Sequence, residues 1–335
     1  MRVFVTGGSG FIGSNFIIRL LSLKKFRIMN FDKLTYAGNK ENLKRINSSN
    51  YTFVKGDIYN KKKLEIKINE FKPNYIIHFA AESHVDNSIS SSLEFIQTNI
   101  VGTYNLLECA KNYYNKLTKK NKKMFKFHHI STDEVYGDME EELFHENSQY
   151  RPSSPYSASK ASSDHLVRSW QRTFDLPTII TNCSNNYGPF QYPEKLIPVV
   201  IINALKNKKI PVYGNGRQVR DWIYVSDHCD ALINCMKYAS VGETYNIGSS
   251  SQVANIDLVN KICEYLDEIH PKKNSYKKLI EFVKDRPGHD KIYGIDNRKA
   301  IKNLFWKPRI DLQKGLKLTV QWYLNNEKWW AKLIT

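Results

Sequence analysis

Arg2-Val3-Phe4-Val5-Thr6-Gly7-Gly8-Ser9-Gly10-Phe11-Ile12-Gly13 is the stretch that decides the fold. A run of strand-forming residues passes straight into glycines at Gly7, Gly10 and Gly13, and apolar residues at helical spacing follow. A missing Cβ lets backbone N–H groups and a helix N-terminus close on a pyrophosphate. The stretch therefore reads as a dinucleotide-binding loop made by Gly7, Gly10, Phe11, Ile12 and Gly13. Asp32 ends the next strand-like run, 19 residues beyond Gly13. A carboxylate there accepts hydrogen bonds from a ribose diol and repels a 2′-phosphate, which favours NAD over NADP; Lys33 beside it works against that discrimination.

Working outward, short β-branched or aromatic runs alternate with longer segments of helical period, the pattern of a parallel sheet flanked by helices. Arg2–Thr6, Arg27–Phe31, Thr52–Lys55, Tyr75–Phe79, Phe125–Ile130 and Thr178–Asn182 read as strands. Phe11–Lys24, Lys62–Phe71, Leu93–Tyr114 and Pro155–Phe174 read as helices, the last started by a Ser154 cap and a proline at its first position. After Cys183 the chain turns to Asn, Pro, Tyr and Gly, then returns through a helix reaching Met236 and a strand at Glu243–Ile247. The expected class is α/β, a Rossmann-type doubly wound parallel sheet with a smaller C-terminal α/β substrate lobe. Residues 1–183, completed by about 222–247, form the nucleotide-binding domain, and 184–221 with 248–335 the lobe.

The chain has 335 residues, enough for such an arrangement at roughly 100–200 residues per domain. Its composition, 41% hydrophobic and 25% charged, excludes collagen, coiled coil and wholesale disorder. A formal charge of +17 raises nucleic acid or an anionic surface as partners. The lysines, however, fall in short separated runs such as Lys61 to Lys63 and Lys119 to Lys123, which read as solvated loops, so neither nucleic acid nor membrane is expected. Five scattered cysteines without metal-binding spacing indicate reduced thiols and no metal site. With no signal-like N-terminus and no membrane-length apolar run, a cytoplasmic protein is expected.

Two further clusters carry chemistry. Tyr156 and Lys160 stand one helical turn apart, and a fixed ammonium near a phenol is expected to lower its pKa towards neutrality and make it a usable base. Ser131-Thr132-Asp133-Glu134 ends the fifth strand, on the sheet edge where ligands bind. Adjacent carboxyls beside a hydroxyl suit an acid/base pair if their surroundings separate their protonation states; a plain turn or helix cap is the alternative.

Together these segments resemble the extended short-chain dehydrogenase/reductase family and, within it, the dTDP-glucose 4,6-dehydratases. The resemblance runs over nearly the whole chain. It is carried by Thr6–Gly13, Asp32–Gly38, Gly56-Asp57-Ile58, His78–Asn87, Thr98–Thr103, Ser131–Gly137, Ser153–His165, Thr181–Pro189, Pro193–Pro198 and Asp285–Asp290. The Thr132-Asp133-Glu134 triplet is its most diagnostic part, since epimerising and decarboxylating relatives usually carry a small residue in place of the Asp. The resemblance implies that Tyr156, assisted by Lys160 and Thr132, takes the proton of the glucose 4-hydroxyl while C4 passes hydride to NAD. Glu134 then removes the C5 proton, Asp133 protonates the departing 6-hydroxyl, and hydride returns to C6. The product is a 4-keto-6-deoxy sugar nucleotide of the kind that feeds rhamnose and other deoxysugars, with no net change in NAD. By the same carry-over Lys33, Thr35, Asp57, Ile58, Ala80, Ala81, Ser83 and Thr98 join the glycine loop and Asp32 in holding NAD, as do Tyr156 and Lys160. The sugar nucleotide falls to Ser83, Thr132, Asp133, Glu134, Asn185, Lys195, Leu196, Pro211, Tyr213, Arg220, Asn255, Arg286 and His289. Arg220 and Arg286 suit a diphosphate because their planar forks match it.

The loop after Gly137-Asp138 and the C-terminal end at Thr335 are shorter than in well-known bacterial members, which bears on base selectivity. Trp329 and Trp330 are read as packing for the last helix. The resemblance implies a homodimer, pairing Leu93–Tyr114 and Pro155–Phe174 of two protomers, and apolar Leu106, Leu107, Ala110, Leu166, Val167 and Trp170 suit such packing. The competing readings are a UDP-glucose 4,6-dehydratase, a nucleotide-sugar 4-epimerase, opposed by Asp133, and a non-catalytic NAD-sensing protein, which has no need of Tyr156, Lys160 and the triplet together.

Overall fold

The computed structural model describes residues 1–139 and 142–334. Glu140 and Glu141, within the loop read as shortened, and Thr335 lie outside the described residues. Six strands, β1 (Arg2–Thr6), β2 (Arg27–Asp32), β3 (Tyr51–Lys55), β4 (Tyr75–His78), β5 (Lys126–Thr132) and β6 (Thr178–Cys183), are followed by β7 (Asn185–Tyr187), β8 (Ile210–Tyr213) and β9 (Val219–Tyr224). The set closes with β10 (Thr244–Ile247), β11 (Gln252–Ala254) and β12 (Ile280–Val283).

Seven of these form one sheet in the order β10-β6-β5-β4-β1-β2-β3, with every pairing parallel. The order reverses beside β1, so the crevice between the ends of β1 and β4 lies at the point where open α/β sheets bind ligands. Alternation along β1 explains the two layers. Val3 and Val5 pack with Phe16, Ile17 and Leu20 of the helix Phe11–Ser22, and Phe4 packs on the other face with Leu64, Ile68 and Leu106.

Local chemistry sets the long helix Pro155–Phe174, which has the predicted bounds. Ser154 Oγ accepts from Ser157 N–H at 3.1 Å and Ser157 Oγ accepts from Ser154 N–H at 2.9 Å, a reciprocal cap with Pro155 just inside it. The predicted helix Leu93–Tyr114 runs without interruption from Ser92 to Asn115, with a π-helical segment Ile96–Gly102 between Ser92–Phe95 and Thr103–Asn115. The wide turn has a reason: Asn99 is turned inward, its side chain bonded to both backbone groups of Glu82 at 2.9 and 3.0 Å and to Ser159 Oγ at 2.8 Å.

The second lobe holds a sheet β11-β9-β7 and a pair β12-β8. Trp222–Tyr224 lies in that small sheet, and the return to the main sheet begins with the helix Val225–Tyr238, which packs on Phe11–Ser22, followed by β10 against β6. The helix Arg298–Leu304 also lies on the main-sheet unit, where Ala300, Leu304 and Trp306 share a core with Ile179, Cys235 and Tyr245. Trp330 is buried in the lobe core, and Trp329 joins a ring cluster with Phe190 and Trp322 while donating to Asn42 Oδ1 at 2.8 Å. Both tryptophans thus pack the last helix. No helix among the described residues is long and apolar enough to cross a membrane.

Candidate active site

The glycine loop closes tightly over the sheet edge. Gly7 has φ +71°, and a Cβ on it would stand 2.5 Å from Ala80 N; one on Gly13 would stand 2.4 Å from the Gly7 carbonyl oxygen. Only glycine fits either place. All the residues predicted to hold NAD line this one cleft: Gly7, Gly10, Phe11, Ile12, Gly13, Asp32, Lys33, Thr35, Asp57, Ile58, Ala80, Ala81, Ser83, Thr98, Tyr156 and Lys160. The cradle and a carboxylate at the end of β2 fit a dinucleotide. Asp32 is fixed by Ser9 N–H on Oδ2 at 2.8 Å and Leu34 N–H on Oδ1 at 2.7 Å. Lys33 turns to Asp57, 2.9 Å away, so much of its charge is answered there.

The reacting groups sit at the end of β5. Thr132 Oγ1 accepts from Glu134 N–H at 3.3 Å and donates to Asp133 Oδ1 at 3.3 Å, which winds Asp133–Val135 into one 3-10 turn. Asp133 is 3% exposed, and its Oδ2 has no hydrogen-bond partner among the described residues. Burial pushes the Asp133 carboxyl well above the usual range, and the neighbouring Glu134 charge pushes it further. Burial also raises Glu134, but the charges of Arg286, Arg220 and Lys195 pull it back. Both carboxyls are raised, Asp133 well above its ordinary value and Glu134 less so, because three cations oppose the effect of burial there.

Tyr156 corrects an expectation. Its phenol lies well above its ordinary value, first through burial and then through the Glu134 charge, with a Thr132 hydrogen bond as the opposing influence. The ammonium of Lys160 is directed elsewhere, donating to the Ile130 carbonyl at 2.8 Å and lying 3.4 Å from His129 Nε2. The helical spacing puts the two side chains on one face, but it does not point the ammonium at the phenol.

Of the residues predicted for the sugar nucleotide, Ser83, Thr132, Asp133, Glu134, Asn185 and Lys195 line the same cleft, and Lys195 Nζ donates to the Ser83 carbonyl at 2.7 Å. Leu196, Pro211, Tyr213, Arg220, Asn255, Arg286 and His289 are not among its lining residues. Tyr213 O–H donates to Asp86 Oδ2 at 3.0 Å, Arg286 Nη1 lies 3.4 Å from Asp86 Oδ1, and the Tyr213 and His289 rings meet edge-on. His289 Nδ1 stands 2.6 Å from Asp285 Oδ1. Leu196 and Asn255 open helices, and Asn255 Oδ1 is buried without a partner among the described residues. The fork of Arg220 is largely taken: it donates to the carbonyls of Val219, Lys291 and Asp290 and lies 4.2 Å over the Tyr293 ring.

Sequence reasoning passed over Glu82, Tyr192 and Glu194, which also line the cleft. Burial, helped by the Glu94 charge, lifts Glu82 to about 7. Glu82 lies inside the stretch His78–Asn87, but nothing in its spacing separates it from an exposed acid.

This geometry has close counterparts. The chain is 52% identical over 340 residues to dTDP-glucose 4,6-dehydratase 1 of Escherichia coli (strain K12), covering 98% of this chain and 94% of that protein. A dTDP-glucose 4,6-dehydratase from Bacillus anthracis solved with NAD superposes with a TM-score of 0.88 at 44% identity, covering 99% of both chains. One from Streptomyces venezuelae, also with NAD bound, gives a TM-score of 0.92 at 38% identity, covering 99% of this chain and all of the other. The GDP-mannose 4,6 dehydratase family matches the sequence from residue 4 to residue 319, glycine loop, triplet and Tyr156–Lys160 included, and the chain belongs to that family.

Proposed function

We propose that the chain is an NAD-dependent dTDP-glucose 4,6-dehydratase, a hydro-lyase in which the unit 1–183, with 225–247, holds NAD and the lobe holds the sugar nucleotide. The observation that carries this reading is the pair of carboxyls facing the cleft: Asp133, buried and biased towards the neutral acid, its Oδ2 without a partner among the described residues, beside Glu134, which is raised less because three cations oppose burial. An epimerase needs only the Tyr156–Lys160 pair.

Bound NAD supplies the acceptor for the C4 hydride, the donor that returns it to C6, and a ring charge that adds to Lys160 in favouring the Tyr156 phenolate. Tyr156 takes the proton of the 4-hydroxyl, and Thr132 holds that oxygen. The resulting 4-ketone acidifies the C5 proton, which Glu134 removes as base. Asp133 gives its proton to the 6-hydroxyl, so that water departs and a C5–C6 double bond forms. Glu134 then returns its proton to C5 as C6 is reduced. Lys195 and Arg286 are assigned to the diphosphate, and their charges, with that of Arg220, limit the rise that burial imposes on Glu134. A competition between dTDP-glucose and UDP-glucose tests the base preference: faster consumption of the thymidine nucleotide supports it, and faster loss of the uridine nucleotide overturns it in favour of a UDP-glucose 4,6-dehydratase.

We infer a homodimer through the two helices read in the sequence, but largely by other side chains. Leu106, Leu107, Ala110 and Val167 are fully buried within the chain itself, so they cannot reach a partner. The outer side of the same helices carries exposed Leu93, Ile96, Tyr104 and Phe174, with Trp170 between the last two. Leu93→Arg with Ile96→Glu is expected to shift the sedimenting species from two chains to one; an unchanged dimer excludes this face. The product suits deoxysugar synthesis such as that of rhamnose, and the five buried free cysteines suit a reducing cytoplasm.

A further inference from the structure

Tyr156, Lys160, Asp164 and Arg168 follow one another at steps of four along the helix Pro155–Phe174, so phenol, ammonium, carboxylate and guanidinium share one face. Asp164 is fully buried, and no step above uses it. Its Oδ2 accepts from Ser131 O–H and from Tyr150 O–H, each at 2.9 Å. Its Oδ1 lies 3.3 Å from His129 Nε2, the same nitrogen that stands 3.4 Å from Lys160 Nζ. On the outer side Arg168 donates to Tyr150 Oη at 2.7 Å.

The groups facing this cluster leave few charges to balance. Burial pushes His129 down to about 4 and His78, whose ring lies 5.2 Å from it, well below the ordinary value. Burial lifts Cys183 on β6 to about 12 and also raises the Tyr150 and Tyr156 phenols. At neutral pH the remaining charges are Asp164 against Lys160 and Arg168. Burial opposes the Asp164 anion, but His129, Lys160 and Arg168 more than offset it. Burial draws Lys160 down to about 8, and Asp164 is the largest influence opposing that.

We propose that Asp164 is a positioning residue of the reaction: buried one helical turn beyond Lys160 and facing it across His129 Nε2, it supplies the counter-charge that holds the Lys160 ammonium in place. This rests on the dehydratase reading above. Removing the anion makes Lys160 easier to deprotonate, so the loss of kcat at high pH sets in earlier. Removing the Arg168 cation does the reverse.

The test is the pH profile of kcat in the full chain with NAD and dTDP-glucose, for the parent, Asp164→Asn and Arg168→Met. Asp164→Asn is expected to move the alkaline limb down by about one to two pH units with the acid limb in place, as loss of one nearby opposite charge does. Arg168→Met is expected to move it up. A structural role alone scales kcat by one factor at every pH, so an alkaline limb unmoved in both variants overturns the proposal. If circular dichroism shows that Asp164→Asn does not fold, Arg168→Met decides alone: an upward limb supports the proposal, and an unmoved or lowered one overturns it. A parent chain that forms no 4-keto-6-deoxy product overturns the dehydratase reading itself, a failure visible before any variant is measured.

Discussion

Tyr156→Phe is expected to lower turnover by about 10³- to 10⁴-fold, the range for loss of a positioned acid/base group. The ring keeps its place, because Tyr156 is held by packing against Val85 and Phe95 and lacks only its oxygen after the change. The block falls on the first step: without a phenolate to take the 4-hydroxyl proton, no hydride leaves C4. Mixing the variant with substrate should therefore produce no NADH absorbance in a single turnover, while NAD binding stays within a few-fold of the parent. Normal NADH formation in the variant would show that another group is the base. Glu134 would be the first candidate, since its charge bears on Tyr156 and it faces the same cleft.

Asp133→Asn produces the opposite kinetic picture. The first oxidation survives, because Tyr156, Thr132 and Lys160 are untouched. Elimination slows by about 10²- to 10⁴-fold, as the amide cannot give a proton to the departing 6-hydroxyl. Bound NADH should accumulate and persist, and quenching at that point should release a 4-keto-glucose nucleotide. The amide is nearly isosteric, and its oxygen can keep the 3.3 Å contact with Thr132 Oγ1, so stability should be close to parental. Dehydration at the parental rate would remove Asp133 from the role of acid.

Much of this was legible in the sequence because it was local. The glycines before Phe11, Asp32 after the second strand, and the Ser154-Pro155 start are each read within a few residues, and the structure has a steric or hydrogen-bonding reason at each. What escaped was set by distance. Whether Leu106 and Val167 face a partner or their own core depends on how the helices Thr103–Asn115 and Pro155–Phe174 lie on the sheet, and they lie with those side chains inward. The π turn after Phe95 depends on Asn99 meeting Glu82 and Ser159, far apart along the chain. The spacing of Tyr156 and Lys160 was visible, but the Ile130 carbonyl that takes the ammonium belongs to β5. Asp164 was visible too, one more step of four along the same face. Only its burial and its neighbour His129 give that spacing a meaning.

The central claim is that the two carboxyls eliminate water across C5 and C6, and proton NMR of the chain with NAD and dTDP-glucose in D₂O tests it most directly. A new sugar methyl signal is the predicted result, and deuterium at C5 marks the exchange of the Glu134 proton with solvent between its removal and its return. Substrate that loses no water, or that only inverts at C4, gives no methyl signal and contradicts the account.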